Sequence, residues 1–221
     1  MTNLATMSWP DVDSDAILVV PVGSTEQHGP HLPIGTDTIV AEQLARELAT
    51  DGGVVVAPAL PFGSSGEHSG FPGTLSIGQR ALRLVLVELV RTSSFRRTLF
   101  VNGHGGNVSA IAEAVDDLRD EGHDTMSWAP RVAGGDAHAG HVETSLLLAL
   151  DPTLVDLSKR APGNVADLGE LMPALRAGQL ADIAPNGVLG DPTRADVAAG
   201  QQLWAQLYAD LRAAVAGRWP R

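Results

Sequence analysis

Ala16-Ile17-Leu18-Val19-Val20-Pro21-Val22 is an unbroken apolar run of strand length, and its lack of polar alternation predicts a strand buried on both faces. The run empties into Gly23-Ser24-Thr25-Glu26-Gln27-His28-Gly29-Pro30-His31-Leu32-Pro33 and then Asp37, a turn-rich stretch dense in metal-ligating residue types. The pattern recurs downstream. Val54–Val56 reads as a second buried strand, leading into a glycine-rich loop over 61–74. A third, at 98–101, runs into Asn102-Gly103-His104-Gly105-Gly106-Asn107.

Helical spacing fills the gaps. Val40, Leu44 and Leu48 recur every four residues over 38–49, before Gly52-Gly53 ends that helix. Ser76 with Gln79 three residues on predicts a capping box opening a helix that turns Leu82, Val85, Leu86 and Leu89 inward. Ala110, Ile111, Ala114, Val115 and Leu118 mark a third helix, closed at Gly122. Residues 124–129 form a more polar fourth strand, and 142–150 a short helix stopped by Asp151-Pro152. Strands alternating with helices predict βαβ units, hence an α/β fold with a mainly parallel sheet covered on both faces. Ligands in such sheets gather beyond the carboxyl ends of the strands. Glu26, His28, Asp37 and His104 would all fall there. Residues 161–190, rich in Pro, Gly, Asn and Asp, are expected to form an irregular lobe of a single domain spanning 1–221. A last helix is expected from Asp191-Pro192, with Val197, Trp204, Leu207, Leu211 and Val215 as its buried stripe.

Composition narrows the function. A chain of 221 residues, 44% hydrophobic, buries a full core in one domain. A net charge of −11 lacks the phosphate-neutralising surface of a nucleic-acid binder, so no DNA or RNA partner is expected. No apolar run nears the ~18 residues of a membrane span, and residues 1–15 are polar and acidic, so the protein is expected in the cytoplasm without membrane contact. With no cysteine, any metal sits on His, Asp and Glu.

The ordered motifs resemble the creatininase family of metal-dependent amidohydrolases: the 23–33 stretch with Asp37, the loop Phe71-Pro72-Gly73-Thr74, the 102–107 turn, His138-Ala139-Gly140-His141-Val142-Glu143-Thr144-Ser145, and Gly187-Val188-Leu189-Gly190-Asp191-Pro192. The resemblance implies a three-layer α/β/α sandwich, a homo-oligomer (commonly a hexamer), and two divalent ions per subunit, Zn2+, Fe2+ or Mn2+. It implies that Glu26, Asp37 and His104 hold one ion and His28 and Asp37 the other, with Asp37 bridging. A shared carboxylate screens the repulsion between two close cations. Creatinine-cleaving members carry a glutamate two residues after the Asn-Gly-His histidine, where this chain has Gly106. Glu143 is assigned to that vacancy, because three carboxylates and a hydroxide balance two divalent charges in a low-dielectric cleft. By resemblance, His138 is the catalytic histidine, passing a proton to the departing nitrogen after a bridging hydroxide attacks the amide carbonyl. Ser65 and His68 fall on the substrate-side loop, and backbone N–H groups of Gly105, Gly106 and Asn107 are expected to steady the oxyanion.

Other residues have plainer explanations. His31 supports the site rather than ligating; His68 fits a surface turn nearly as well as a substrate loop; His141 is structural; His123 is solvent-exposed; Trp128 packs in the core. The 102–106 turn lacks the G-x-G-x-x-G spacing of a nucleotide loop. Family substrates include creatinine, formamides and peptides. Creatinine-cleaving members have a longer, tryptophan-bearing segment before the His138 motif, whereas nine residues free of tryptophan separate Trp128 from His138 here. The chain looks most like the family's peptide-trimming members, which remove a C-terminal dipeptide from a small precursor peptide. A metal carrier without turnover is the alternative of another class.

Overall fold

The computed structural model describes residues 3–220. Strands β1 (Ile17–Val22), β2 (Val54–Val56), β3 (Arg97–Asn102) and β4 (Asp124–Trp128) form one parallel sheet in the order β2-β1-β3-β4. Successive side chains of a strand point to opposite faces, and β1 uses both for burial. Ile17 and Val19 join Leu44, Leu147 and Leu207 beneath α1 (Thr36–Ala49), α4 (His141–Leu150) and α7 (Val197–Arg218). Leu18, Val20 and Val22 join Leu82, Leu86, Ile111 and Leu118 beneath α2 (Gly78–Arg91) and α3 (Val108–Asp120). The result is the expected three-layer α/β/α sandwich.

The chain leaves β1 for β2 on one side and returns to β3 on the other, so the strand order reverses between β1 and β3. A crevice opens beyond their carboxyl ends, the general ligand position of open α/β sheets. Val22 of β1 pairs with Asn102 of β3, so the two strands end level and release their loops at the same height.

Several boundaries differ from the sequence expectations. Helix α1 begins at Thr36, which puts Asp37 inside its first turn, where the helix dipole favours a carboxylate. On α2, Val85 and Leu89 are exposed while Val87 and Val90 are buried with Leu82 and Leu86, because packing against α3 rotates the buried stripe. No capping box forms there. The Ser76 hydroxyl instead accepts from the N–H groups of Ser65 and Gly78, and the Gln79 amide reaches the Gly106 carbonyl. Asp191 caps a separate turn, Pro192–Arg194, and α7 starts later, where the Asp196 carboxylate accepts from Ala199 N–H at 2.7 Å. Val197 is accordingly exposed at the helix start. His123 is half-buried rather than exposed. Trp128 is buried and donates its indole N–H to Asp210 at 2.8 Å, a core role.

The 161–190 stretch is more ordered than its composition suggests. Two short helices, α5 (Leu168–Arg176) and α6 (Leu180–Ile183), gather Leu171, Leu180, Ala184 and Leu189 into a small cluster of their own. Its return segment bridges to the site: Leu189 and His138 exchange backbone hydrogen bonds at 2.9 and 3.1 Å. Among the described residues, no helix is long and apolar enough to cross a membrane.

Candidate metal centre

Six side chains supply candidate ligand atoms in the crevice. Glu26 and His28 come from the loop after β1, Asp37 from the first turn of α1, His104 from the loop after β3, and His138 and Glu143 from the entry to α4. Gly103 lets the β3 end close on α1, since a Cβ there would lie 2.2 Å from the Asp37 carbonyl oxygen. The Asn102 side chain then brackets His104, accepting from its N–H at 3.1 Å and donating to its carbonyl at 2.8 Å. At the other entrance Asp136 accepts from His141 and Val142 N–H groups, capping α4. Ala139, next to His138, holds φ at +52°, a strained value for a side-chain-bearing residue. The Ala139 N–H donates to Glu143 Oε2 at 2.6 Å.

Two atom sets result. Glu26, Asp37 and His104 form one, and His28, Asp37 and Glu143 the other, with the ligating atoms of each within 4.8 Å of one another. Asp37 belongs to both. A third grouping, Glu26 with His28 and His138, overlaps them. The carboxylates are held from behind: the Ser24 hydroxyl donates to Glu26 Oε2 at 2.9 Å and itself meets the Ser65 hydroxyl.

The histidines reveal their tautomers through backbone carbonyls, which can only accept. His28 Nδ1 donates to the Glu26 carbonyl at 3.1 Å, His104 Nε2 to the Ser64 carbonyl at 3.1 Å, and His138 Nε2 to the Gln27 carbonyl at 2.8 Å. In the neutral ring the opposite nitrogen therefore carries a lone pair. Those lone pairs face carboxylate oxygens: His28 Nε2 lies 2.9 Å from Asp37 Oδ1, and His104 Nδ1 lies 3.2 Å from both Glu26 Oε1 and Asp37 Oδ2. His138 Nδ1 lies 3.8 Å from Glu26 Oε1. Glu26 Oε1 and Asp37 Oδ2 are buried without any hydrogen-bond donor. Lone pair against anion is repulsive, so the arrangement calls for a positive charge at the meeting point. A protonated ring or a divalent cation meets that need, and backbone-anchored imidazoles with orphaned carboxylate oxygens fit a metal ion.

With no ion, protons would do the work. Burial opposes charging His28, but the Asp37 charge and hydrogen bond, with Glu143 and Glu26, push it up to about 10. Burial likewise opposes His104, yet Glu26 and Asp37 hold it well above its ordinary value. Asp37 is held far below the usual carboxylate range because His28 and His104 outweigh its burial. Glu143 is pushed up to about 7 by burial, with His28 pulling the other way. Burial and the neighbouring His28 hold His138 well below the ordinary imidazole value, which favours the neutral ring.

The remaining expected residues divide. His68 is buried at the cluster, its Nε2 3.1 Å from Glu26 Oε1, and is no surface histidine. Ser65 sits behind Ser24, one hydroxyl removed from Glu26. Asn107 is fully buried and its polar groups are used within the fold: its amide bonds Gly23, Ser64 and Asn102, and its N–H returns to the His104 carbonyl. It therefore clamps the loops and has no N–H left for an oxyanion. Gly105 is exposed and Gly106 half-buried at the same turn. A Cβ at Gly106 would lie 2.3 Å from the Ser64 carbonyl oxygen, 2.4 Å from His104 Nε2 and 2.6 Å from Glu67 Oε1, so this backbone has no room for a glutamate there. His31 is buried away from both atom sets, bonded through Nε2 to the Thr144 hydroxyl at 2.9 Å. Burial and the charges of His28 and Arg160 lower it to about 4. Gln27 and Glu67 lie at the cluster without having been singled out by sequence: Gln is not a metal-ligating type, and Glu67 stands in a polar loop whose folding against His104 no local pattern encodes.

A family model described as "Creatininase: Creatinine amidohydrolase" matches residues 5–215. A Mycolicibacterium smegmatis protein named mycofactocin precursor peptide peptidase is 50% identical over 200 residues, covering 86% of this chain and 81% of that protein. Its namesake from Mycobacterium ulcerans is 46% identical over 223 residues, covering 96% of this chain and 86% of that protein. The solved structure of a creatinine amidohydrolase (creatininase) aligns with a TM-score of 0.82 at 24% identity, covering 100% of this chain and 98% of the other.

Proposed function

Because the chain belongs to the creatininase family, we propose that it is a metal-dependent peptidase that hydrolyses a C–N amide bond, releasing a C-terminal dipeptide from the mycofactocin precursor peptide. The names of its relatives at 46–50% identity support the substrate. One observation carries the chemistry: His28, His104 and His138 all anchor one nitrogen on a backbone carbonyl and turn the other toward the Glu26 and Asp37 carboxylates, each of which keeps one buried oxygen without a hydrogen-bond partner.

Two divalent ions bound in these atom sets would supply a nucleophilic water of lowered pKa and polarise the scissile carbonyl. Glu26, Asp37 and His104 would hold one, and His28, Asp37 and Glu143 the other. His138, neutral and tied at Nε2, takes up a proton at Nδ1 and gives it to the departing nitrogen, since an amine anion is a very poor leaving group. The 129–137 segment carries no tryptophan, which supports an open cleft for a peptide tail over a covered one for a flat ring. Exposed Leu84, Val85 and Leu89 along α2 support self-association into a homo-oligomer.

Incubating the metal-loaded protein with the precursor peptide, creatinine and a formamide, followed by mass spectrometry, tests this reading. The expected result is a peptide shortened by two C-terminal residues and unchanged small amides. Turnover of creatinine or the formamide alone would reassign the substrate. No product from any of them, with metal bound, would favour a carrier.

A further inference from the structure

Four imidazoles crowd this cleft, with ring centroids 4.4 Å apart for His28 and His138, 4.6 Å for His68 and His138, and 6.0 Å for His68 and His104. Three of them anchor on backbone carbonyls. His68 does not: its Nδ1 meets the side-chain Nε2 of Gln27 at 3.0 Å. Two backbone groups fix which end of that amide is which. Gly29 N–H donates to Gln27 Oε1 at 2.8 Å, and Gln27 Nε2 donates to the Gly187 carbonyl at 2.9 Å. A flipped amide would set oxygen against carbonyl and nitrogen against N–H, losing both bonds. The seat is close-fitting, since a Cβ at Gly187 would lie 1.8 Å from Gln27 Oε1.

An amide nitrogen has two hydrogens, and three groups lie within reach of this one. His138 Nε2 is 3.1 Å away, but it already carries the proton it donates to the Gln27 carbonyl. One hydrogen therefore goes to Gly187 and the other to His68 Nδ1. His68 must accept at Nδ1, so the neutral ring bears its proton on Nε2, which lies 3.1 Å from Glu26 Oε1 without the geometry of a hydrogen bond to it.

We propose that Gln27 is a positioning residue that sets the tautomer of His68, keeping it out of the metal shell and making it the one of the four clustered imidazoles that turns an N–H rather than a lone pair toward the carboxylates. An imidazole so tied has no lone pair to offer a cation. Its Nε2–H instead serves a substrate oxygen beside Glu26, the carbonyl oxygen as it gains negative charge. This last step deepens the proposed peptidase reaction and rests on it; the tautomer assignment does not.

The test uses full-length protein labelled with 15N-histidine and loaded with Zn2+, the His68 signal being assigned by its loss in His68→Asn. Wild type is expected to show an unprotonated Nδ1 and a protonated Nε2 at His68. In Gln27→Glu the carboxylate can only accept, so His68 is expected to gain a proton on Nδ1. In Gln27→Met the preference disappears. The His138 signal stays put in both variants, because its partner is a backbone carbonyl. Both variants are expected to lose roughly 10- to 100-fold in kcat on the precursor peptide, with KM changing far less. A wild-type His68 protonated on Nδ1, or a Gln27→Glu spectrum identical to wild type, would overturn the proposal. If no variant, wild type included, cleaves any peptide, the peptidase reading fails while the nitrogen spectrum still decides the tautomer.

Discussion

His28 and Asp37 meet at 2.9 Å through an imidazole nitrogen whose ring has already placed its proton elsewhere, on the Glu26 carbonyl. Asp37 presents its other oxygen, without a donor, toward His104. One carboxylate thus meets two imidazole nitrogens, one at each oxygen, and both present lone pairs when the rings are neutral.

Asp37→Ala is therefore expected to lose both bound ions, since it removes an oxygen from each atom set at once. His138→Ala should keep its ions and lose turnover. Metal analysis by mass spectrometry alongside a peptide cleavage assay separates the two. Two ions and full activity in Asp37→Ala would show that Asp37 does not bridge.

The metal-free protein should depend on pH in a defined sense. Against their burial, Asp37 and Glu26 raise His28 to about 10 and His104 well above the ordinary 6.5. Raised values mean that the protonated rings stabilise the metal-free fold fully below about pH 6.5, and that this is lost as pH climbs through about 10. Asp37 is lowered, so its share is present above the ordinary carboxylate value and lost only in acid. The metal-free melting temperature should fall from pH 7 to pH 10. Ion binding at pH 7 must then expel the ring protons. Calorimetry in two buffers of different ionisation heat measures that release, and a zero result would mean the rings are neutral before the ions arrive.

Gly106→Ala tests the crowding at the His104 end. The added methyl meets a carbonyl oxygen, the His104 ring and the Glu67 carboxylate at once. Overpacking of that kind costs about 1–3 kcal/mol. Denaturant unfolding should register the loss, together with weaker metal uptake on the Glu26–Asp37–His104 side. A variant with wild-type stability and metal content would show that the loop yields without disturbing His104.

Much of this was legible in one dimension. The run through Val22 and the helical spacing of Val40, Leu44 and Leu48 announced buried strands alternating with amphipathic helices, and the sheet has that form. Glu26, His28, Asp37 and His104 could be picked out because metal-ligating types stood at strand ends. The inward face of α2 was misjudged at Val85 and Leu89, because which apolar stripe is buried depends on where α3 lies. His68 reads as a residue of a substrate-side loop, with a surface turn fitting nearly as well, since nothing adjacent to it indicates that Glu26 and Gln27 fold against it.

By itself the sequence determined the alternation of elements and offered the candidate ligating side chains, because hydrophobic period and residue chemistry are local properties. Tertiary structure alone decided which nitrogen of each imidazole faces the carboxylates. That choice depends on single acceptors and donors brought from far along the chain, Ser64 to His104, Gln27 to His138, and Gly187 to Gln27, and no spacing rule encodes a contact made only when the sheet closes.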